Sequence, residues 1–187
     1  MTKRIILAVS GSISAYKSAD LTSKLKKKGY DIHVIMTEAA QAFITPLTLQ
    51  VLSKNPVHTD VMEEKLAERI NHIDLAKETD LFIVAPASAN TIAKLAHGMA
   101  DNMLTATALA LPSTTPKLIA PAMNTKMYEN PLTKKNLETL QEVGYQKILP
   151  KSGLLACGDT GRGALANIAV IIDSIDSALT RKGVYDE

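Results

Sequence analysis

Leu81-Phe-Ile-Val-Ala-Pro-Ala-Ser-Ala-Asn-Thr91 opens on five consecutive apolar residues and then passes abruptly to proline and small polar side chains. An uninterrupted apolar run of that length suits a parallel strand covered on both faces. Beyond it Ile92, Leu95, Ala96 and Met99 recur at helical spacing and predict a helix with one buried stripe. A strand leading straight into a helix is the repeating unit of an α/β fold, and the rest of the chain either repeats it or does not.

It does repeat. Residues 5–9 form a second wholly apolar run, followed by Ser10-Gly-Ser-Ile-Ser14 and a helix carrying Ala15, Ala19 and Leu25 among Ser18 and Thr22. Gly29 stands where a C-cap belongs. Lysines 24, 26, 27 and 28 crowd the last turn, where the helix dipole favours cations, and they read as a solvated face. Residues 32–36 form the next strand, and Thr37-Glu38 resembles an N-cap with an acidic first turn. Residues 39–52 read as a helix broken at Pro46, and 56–62 as an ambiguous third strand. Residues 100–105 interrupt the helix after Thr91 and start another, reaching about residue 111. A strand at 117–120, a helix at 130–143 closed by Gly144, a strand at 146–149 and a helix at 167–179 complete the series. The expected architecture is a doubly wound parallel sheet. His33 reads as a packed or edge histidine, and His58 has no evident partner.

With 187 residues and no repeat or linker, one domain over 1–187 is expected. A net charge of +2 with interspersed signs gives no nucleic-acid footprint. No apolar run approaches a membrane span, and the N-terminus enters a strand without a signal peptide, so no membrane partner is expected. A single cysteine makes no internal disulfide and fits a reducing cytoplasm.

Chemistry concentrates at the carboxyl strand ends, where open α/β sheets bind ligands. In Ile119-Ala-Pro-Ala-Met-Asn-Thr-Lys-Met-Tyr-Glu-Asn-Pro131, Pro121 stops the strand ladder, and Met123, Asn124, Met127, Tyr128 and Asn130 follow. Pro131 fits the first turn of the next helix. Three further ends carry small hydroxyls before a helix: Ser10-Gly11-Ser12 with Ser14, Thr37, and Ser88 with Asn90 and Thr91. Helix starts offer unpaired N–H groups that suit phosphate, and Gly11 allows close backbone approach. Neither a Gly-x-Gly-x-x-Gly fingerprint nor a Walker lysine is present, so one phosphate, as in a mononucleotide, fits better than a pyrophosphate. Each hydroxyl taken singly is equally an ordinary N-cap. His72, in Asn71-His-Ile-Asp-Leu75 before the Leu81 strand, is the side chain able to move a proton near neutral pH. Cys157 lies in a glycine-rich connection, 150–164, read as unstructured and lid-like.

Pro121-Ala-Met-Asn-Thr-Lys-Met-Tyr128 resembles the Pro-x-Met-Asn-x-x-Met-Trp motif of the homo-oligomeric flavin-containing cysteine decarboxylases. Ala156-Cys-Gly-Asp-x-Gly-x-Gly163 resembles their substrate clamp, and His72-Ile-Asp-Leu75 their histidine segment. Pro86-Ala-Ser-Ala-Asn-Thr-Ile-Ala-Lys94 and Ala100-Asp-Asn-Met-Leu-Thr105 are similar to their flavin-pocket segments. Tyr128 replaces tryptophan while keeping an aromatic wall, and Ala164-Leu165 stands where the clamp usually reads Arg-Met, which leaves Arg162 as the nearby arginine.

The resemblance implies a flavodoxin- or Rossmann-like three-layer sandwich, FMN as cofactor and no metal. It implies that Gly11, Ser12, Ser14, Thr37, Pro86, Ala87, Ser88, Ala89, Asn90, Thr105 and Ala122 hold the flavin. Asn124, Met127, Ala156, Gly158 and Asp159 would contact substrate, and His72, Asn124 and Cys157 would be catalytic. The implied partners are a small phosphorylated substrate and further copies of the chain, as a trimer or dodecamer with sites between subunits. The implied reaction belongs to the coenzyme A branch: 4′-phosphopantothenoylcysteine loses carbon dioxide to become 4′-phosphopantetheine. A saturated cysteine offers no carbonyl to accept the electrons left by carbon dioxide, so a redox cofactor must lend the sink. Hydride removal from the carbon bearing sulfur gives a thioaldehyde; carbon dioxide then departs to leave an ene-thiolate, which is protonated and reduced back. The length leaves no room for the ligase domain fused to many bacterial members, so a stand-alone enzyme is expected. Peptidyl-cysteine decarboxylation, flavin prenyl transfer and a non-catalytic flavin-binding regulatory subunit are the alternatives. The first lacks the phosphate end of the substrate, the second does not need Asn124 or Cys157, and the third is expected to lack one of the three catalytic residues.

Overall fold

The structure, a computed structural model, describes residues 2–63, 71–154, 158 and 160–185. In chain order the elements are β1 (Arg4–Val9), a 3-10 turn (Ile13–Tyr16), α1 (Lys17–Lys27), β2 (Asp31–Met36), α2 (Glu38–Gln41), α3 (Pro46–Ser53) and β3 (Val57–His58). There follow α4 (Asn71–Glu78), β4 (Leu81–Ala87), α5 (Ala89–Ala96), α6 (Met103–Ala110) and β5 (Lys117–Pro121). The chain continues through α7 (Thr125–Glu129), α8 (Pro131–Glu142), β6 (Tyr145–Lys147), β7 (Lys151–Leu154), β8 (Thr160–Ala164) and α9 (Ile168–Tyr185).

Alternation within the apolar runs explains the layers. Ile5, Leu7 and Val9 of β1 point with Leu81 and Ile83 of β4 into a core shared with Leu21, Leu25, Leu49, Ile171 and Ile175. Ile6, Ala8, Phe82 and Val84 point the other way, onto Leu75, Ile92, Leu104, Leu137 and Leu140. Both faces are therefore covered, and that is why the strands read as continuous hydrophobic runs. Each fully buried Ile, Leu or Val contributes about 1.5–3 kcal/mol relative to exposure. The sheet is parallel, in the order β3-β2-β1-β4-β5-β6. That is the doubly wound sandwich expected from sequence. Its order is Rossmann-like when the two-residue β3 is counted and flavodoxin-like when it is not. In either description the order reverses between β1 and β4.

β4 carries an irregularity at that reversal. Its register with β5 runs Val84↔Ile119 and then Ala87↔Pro121, three residues on β4 against two on β5. Ala85 faces the first core and Ala87 the second, so the extra residue re-aims the strand end.

Several sequence expectations change. The described parts of 150–164 do not fit an unstructured connection: β7 and β8 pair antiparallel, Lys151 opposite Ala164 and Gly153 opposite Gly161. The ribbon shows no alternation because it docks through glycine backbone rather than by burying a side-chain face. Residues 71–78 form a helix, α4, for which Leu75 and Ala76 are the buried signal. The predicted helix at 130–143 is preceded by the short α7, and Pro131 does occupy the first turn of α8. The last sheet strand sits at 145–147 rather than 146–149, and α9 runs beyond 179. Met99 is not on the α5 stripe: the helix stops at Ala96, Gly98 adopts φ +64°, and Met99 is exposed.

Ion pairs gather away from the strand C-termini. Asp31 accepts from Arg4 Nε at 3.1 Å, Asn55 Nδ2 at 2.9 Å and His33 Nε2 at 3.0 Å. Burial pushes its carboxyl up, but the bonds from Asn55, His33 and Arg4 outweigh that and hold it at about 2. Lys24 pairs with Asp20 at 2.8 Å and Lys28 with Asp176 at 2.7 Å, as a solvated face should.

Candidate active site

A cleft of about 500 Å³ opens at the carboxyl edge, where β1, β4 and β5 end. Gly11, Ser12 and Ser14 line it from β1, Ser88 and Ala89 from β4, and Ala122, Met123, Asn124 and Met127 from β5. Lys151, Gly163 and Ala164 of the hairpin close it from another side. Ile13, Tyr16 and Lys17 add to the wall, and among the described residues the lining holds two lysines and no carboxylate, which suits an anionic ligand.

Local hydrogen bonds fix each rim. Ser12 Oγ accepts from Ser14 N at 3.3 Å and caps the 3-10 turn. Ser88 Oγ accepts from Thr91 N at 3.2 Å and caps α5. Ser10 is fully buried; its Oγ donates to Pro86 O at 2.8 Å and accepts from Ser88 N at 2.8 Å. Ala122 N donates to Ala87 O at 3.0 Å, which ties the β5 rim to the β4 rim. Gly11 serves a close approach, but to protein: a Cβ there would lie 2.6 Å from Ala39 Cβ.

Asn124 caps α7, its Oδ1 accepting from Lys126 N at 2.8 Å. The hairpin sits on this turn. Met123 N donates to Gly163 O at 2.9 Å. A Cβ on Gly163 would fall 2.4 Å from Met123 O, and one on Gly161 would fall 2.5 Å from Thr125 Oγ1. Gly163 thus lets one backbone lie directly on another, and Gly161 makes room for the Thr125 side chain.

The remaining candidates stand elsewhere. Thr37 caps α2, accepting from Ala40 N at 3.2 Å, and is not in the cleft lining. Pro86 and Ala87 are buried in β4, and Asn90 is exposed on α5. The Thr105 hydroxyl is engaged in a reciprocal capping box with Asn102 at the start of α6, and it borders a separate cavity of about 400 Å³. Tyr128 packs in the second core rather than forming a wall of the cleft. Burial pushes its hydroxyl pKa up, against the pull of the Arg162 charge. His72 sits on the first turn of α4 with Nδ1 buried and without a hydrogen-bond partner, and it does not line the cleft. Gly158 is exposed with φ +85°, while Ala156, Cys157 and Asp159 lie outside the described residues. Sequence reading named Ser10 among the hydroxyls at the β1 end and Gly163 within the clamp-like motif, but it missed Lys17 and Lys151 of the lining.

A family model described as Flavoprotein matches residues 1–180. A protein of Streptococcus mutans serotype c described as a probable phosphopantothenoylcysteine decarboxylase is 62% identical over 96% of this chain and 100% of its own. The solved structure of a mutant PPC decarboxylase complexed with pantothenoylaminoethenethiol superposes with TM-score 0.86 at 34% identity, covering 94% of this chain and 97% of that one. The FMN-dependent cysteine decarboxylase SpaF gives TM-score 0.85 at 31% identity, covering 97% of each chain. Against a bifunctional coenzyme A biosynthesis protein of Bacillus subtilis the chain spans only 40% of the relative's length. No helix among the described residues is long and apolar enough to cross a membrane.

Proposed function

The chain belongs to the flavoprotein family, and from that premise we propose that it is an FMN-dependent phosphopantothenoylcysteine decarboxylase of coenzyme A biosynthesis, acting in the cytoplasm as one domain over 1–187. The observation that carries the reading is the cleft at the strand-order reversal, where Ser12, Ser14, Ser88 and Asn124 meet. A cavity of about 500 Å³ is of the size that small-molecule sites have, and its donors suit one phosphate. Ser12 and Ser14 stand at the start of the 3-10 turn and Ser88 at the start of α5, so hydroxyls and unpaired N–H groups converge there.

Bound FMN supplies a reversible two-electron sink that the saturated cysteine lacks. The chain does the rest. Ser12, Ser14 and Ser88 hold the cofactor's phosphate end, and Ala89 and Ala122 leave room for its flat ring and chain. Asn124 directs its side-chain amide at the substrate carboxylate or amide, while its Oδ1 remains fixed by Lys126 N. A neutral donor orients the departing carboxylate without locking it in place. Met127 offers an adaptable apolar contact. Cys157, outside the described residues and between Leu154 and Thr160 in the sequence, delivers the proton to the ene-thiolate. His72 acts as base or electrostatic partner. It does not line the cleft of its own chain, so a neighbouring copy contributes it to a site shared between subunits of a trimer or dodecamer.

The purified protein is expected to show a flavin absorption spectrum and to release carbon dioxide from 4′-phosphopantothenoylcysteine. A protein that takes up no FMN, or binds it without releasing carbon dioxide, overturns the reading. Turnover of a peptide ending in cysteine, with none of the phosphorylated substrate, would replace it by peptidyl-cysteine decarboxylation.

A further inference from the structure

We propose that Ser10 is a positioning residue of the cofactor cleft, its hydroxyl fixing the separation of the β1 and β4 rims; the proposal rests on the flavin reading above. The geometry is specific. β4 has slipped out of register between Val84 and Ala87, so the segment leaving it no longer follows a regular ladder. Ser10 N and Ser10 Oγ both donate to Pro86 O, at 3.2 and 2.8 Å. Ser10 Oγ also accepts from Ser88 N at 2.8 Å. A hydroxyl gives and receives at one atom, and that dual role joins the strand end to the first residue of the α5 cap. An alanine offers neither function and leaves Ser88 N without this partner.

Ser10 is 1% exposed and absent from the cleft lining, so it acts through its neighbours rather than by touching the ligand. Those neighbours do line the cleft: Gly11 and Ser12 on one rim, Ser88 and Ala89 on the other. The β5 rim is tied to the same strand through Ala122 N and Ala87 O. Removing the Ser10 hydroxyl leaves the β1 rim joined to Pro86 through Ser10 N alone and releases Ser88 N, at the head of the α5 rim.

The test separates positioning from general stability. Thr79 makes a comparable buried hydroxyl bond, Oγ1 to Leu81 O at 2.9 Å, where β4 begins, far along the strand from the cleft. Apoprotein of the wild type, Ser10→Ala, Thr79→Val and Ser10→Thr is titrated with FMN by quenching of flavin fluorescence, with urea midpoints measured in parallel. One lost hydrogen bond is worth roughly a tenfold change in an equilibrium constant. Ser10→Ala is expected to raise the FMN Kd about tenfold or more and Thr79→Val less than about twofold, at similar losses of stability. Ser10→Thr, which keeps the hydroxyl, restores most of the affinity. If Ser10→Ala does not fold, Ser10→Cys, with a weaker donor and acceptor, is titrated in its place and is expected to weaken FMN in the same direction. Wild-type affinity in the Ser10→Ala or Ser10→Cys protein, or equal weakening by Thr79→Val, overturns the proposal. Wild type that binds no FMN overturns the cofactor reading itself, before any variant is compared.

Discussion

Replacing Gly163 by alanine tests whether the hairpin's seat on the Asn124 turn matters for turnover. The new Cβ would stand 2.4 Å from Met123 O, a main-chain atom that no side-chain rotation can move. Carbon and oxygen settle at about 3.3 Å at closest, so the ribbon must retreat by about 0.9 Å. Retreat along that direction stretches the 2.9 Å bond from Met123 N to Gly163 O beyond hydrogen-bond length. The lost bond costs about 1 kcal/mol, which in a chain of this size lowers the melting temperature by roughly 2–4 °C. Catalysis is more sensitive, because misplacement by about 1 Å costs on the order of 10²-fold. Gly163→Ala is therefore expected to keep FMN, melt only slightly earlier and lose about two orders of magnitude in kcat/KM for carbon dioxide release. Gly153→Ala is the control: a Cβ there meets nothing within 4 Å, and its activity should match wild type. Turnover by Gly163→Ala within threefold of wild type (roughly 0.6 kcal/mol), or equal losses in the two variants, would refute the reasoning.

Asn124→Asp keeps the oxygen that caps α7 but turns the amide into a charge facing a carboxylate, so melting should hold while decarboxylation drops at least about 10²-fold. His72→Asn is expected to retain the yellow cofactor and lose activity. Mixed oligomers of that variant with Asn124→Asp should regain part of it, and mixtures that stay inactive would count against a site shared between subunits. Cys157→Ser should keep flavin and carbon dioxide release yet stall before 4′-phosphopantetheine, which product analysis by mass spectrometry would show; full product formation removes the proton-donor role. Asp31 is held at about 2, below its ordinary value near 3.9, so its contribution is complete above that ordinary value and is lost as pH falls through 2. Asp31→Asn should cost on the order of 1–2 kcal/mol at pH 7, allowing for partial screening, and converge with wild type only below about pH 2; urea midpoints across that range decide it.

The sheet was legible because its strands are buried on both faces: Ile5 to Val9 and Leu81 to Ala85 admit no polar residue, whatever they pack against. The hydroxyl caps were legible too, since Ser12, Thr37 and Ser88 each follow an apolar run. What they would do was less so. Ser88 reaches the cleft and Thr37 does not, a distinction set by how far each strand extends beyond its neighbours rather than by local residue type. The hairpin escaped because its fold is specified by missing side chains at Gly161 and Gly163, and an absence has no period. Helix α4 escaped because Leu75 and Ala76 alone form its fully buried face. Tyr128 was read as a cleft wall from its motif, but the turn that aims Met127 outward places it in the core.

The ribbon that bears on the Asn124 turn keeps its grip through the main-chain oxygen of Gly163 and the side-chain space left bare at 161 and 163. Side chains such as Ser152 and Arg162, paired across the ribbon and exposed, are thereby released from structural duty. Such an arrangement lets the residues at those positions change without disturbing how the ribbon is seated.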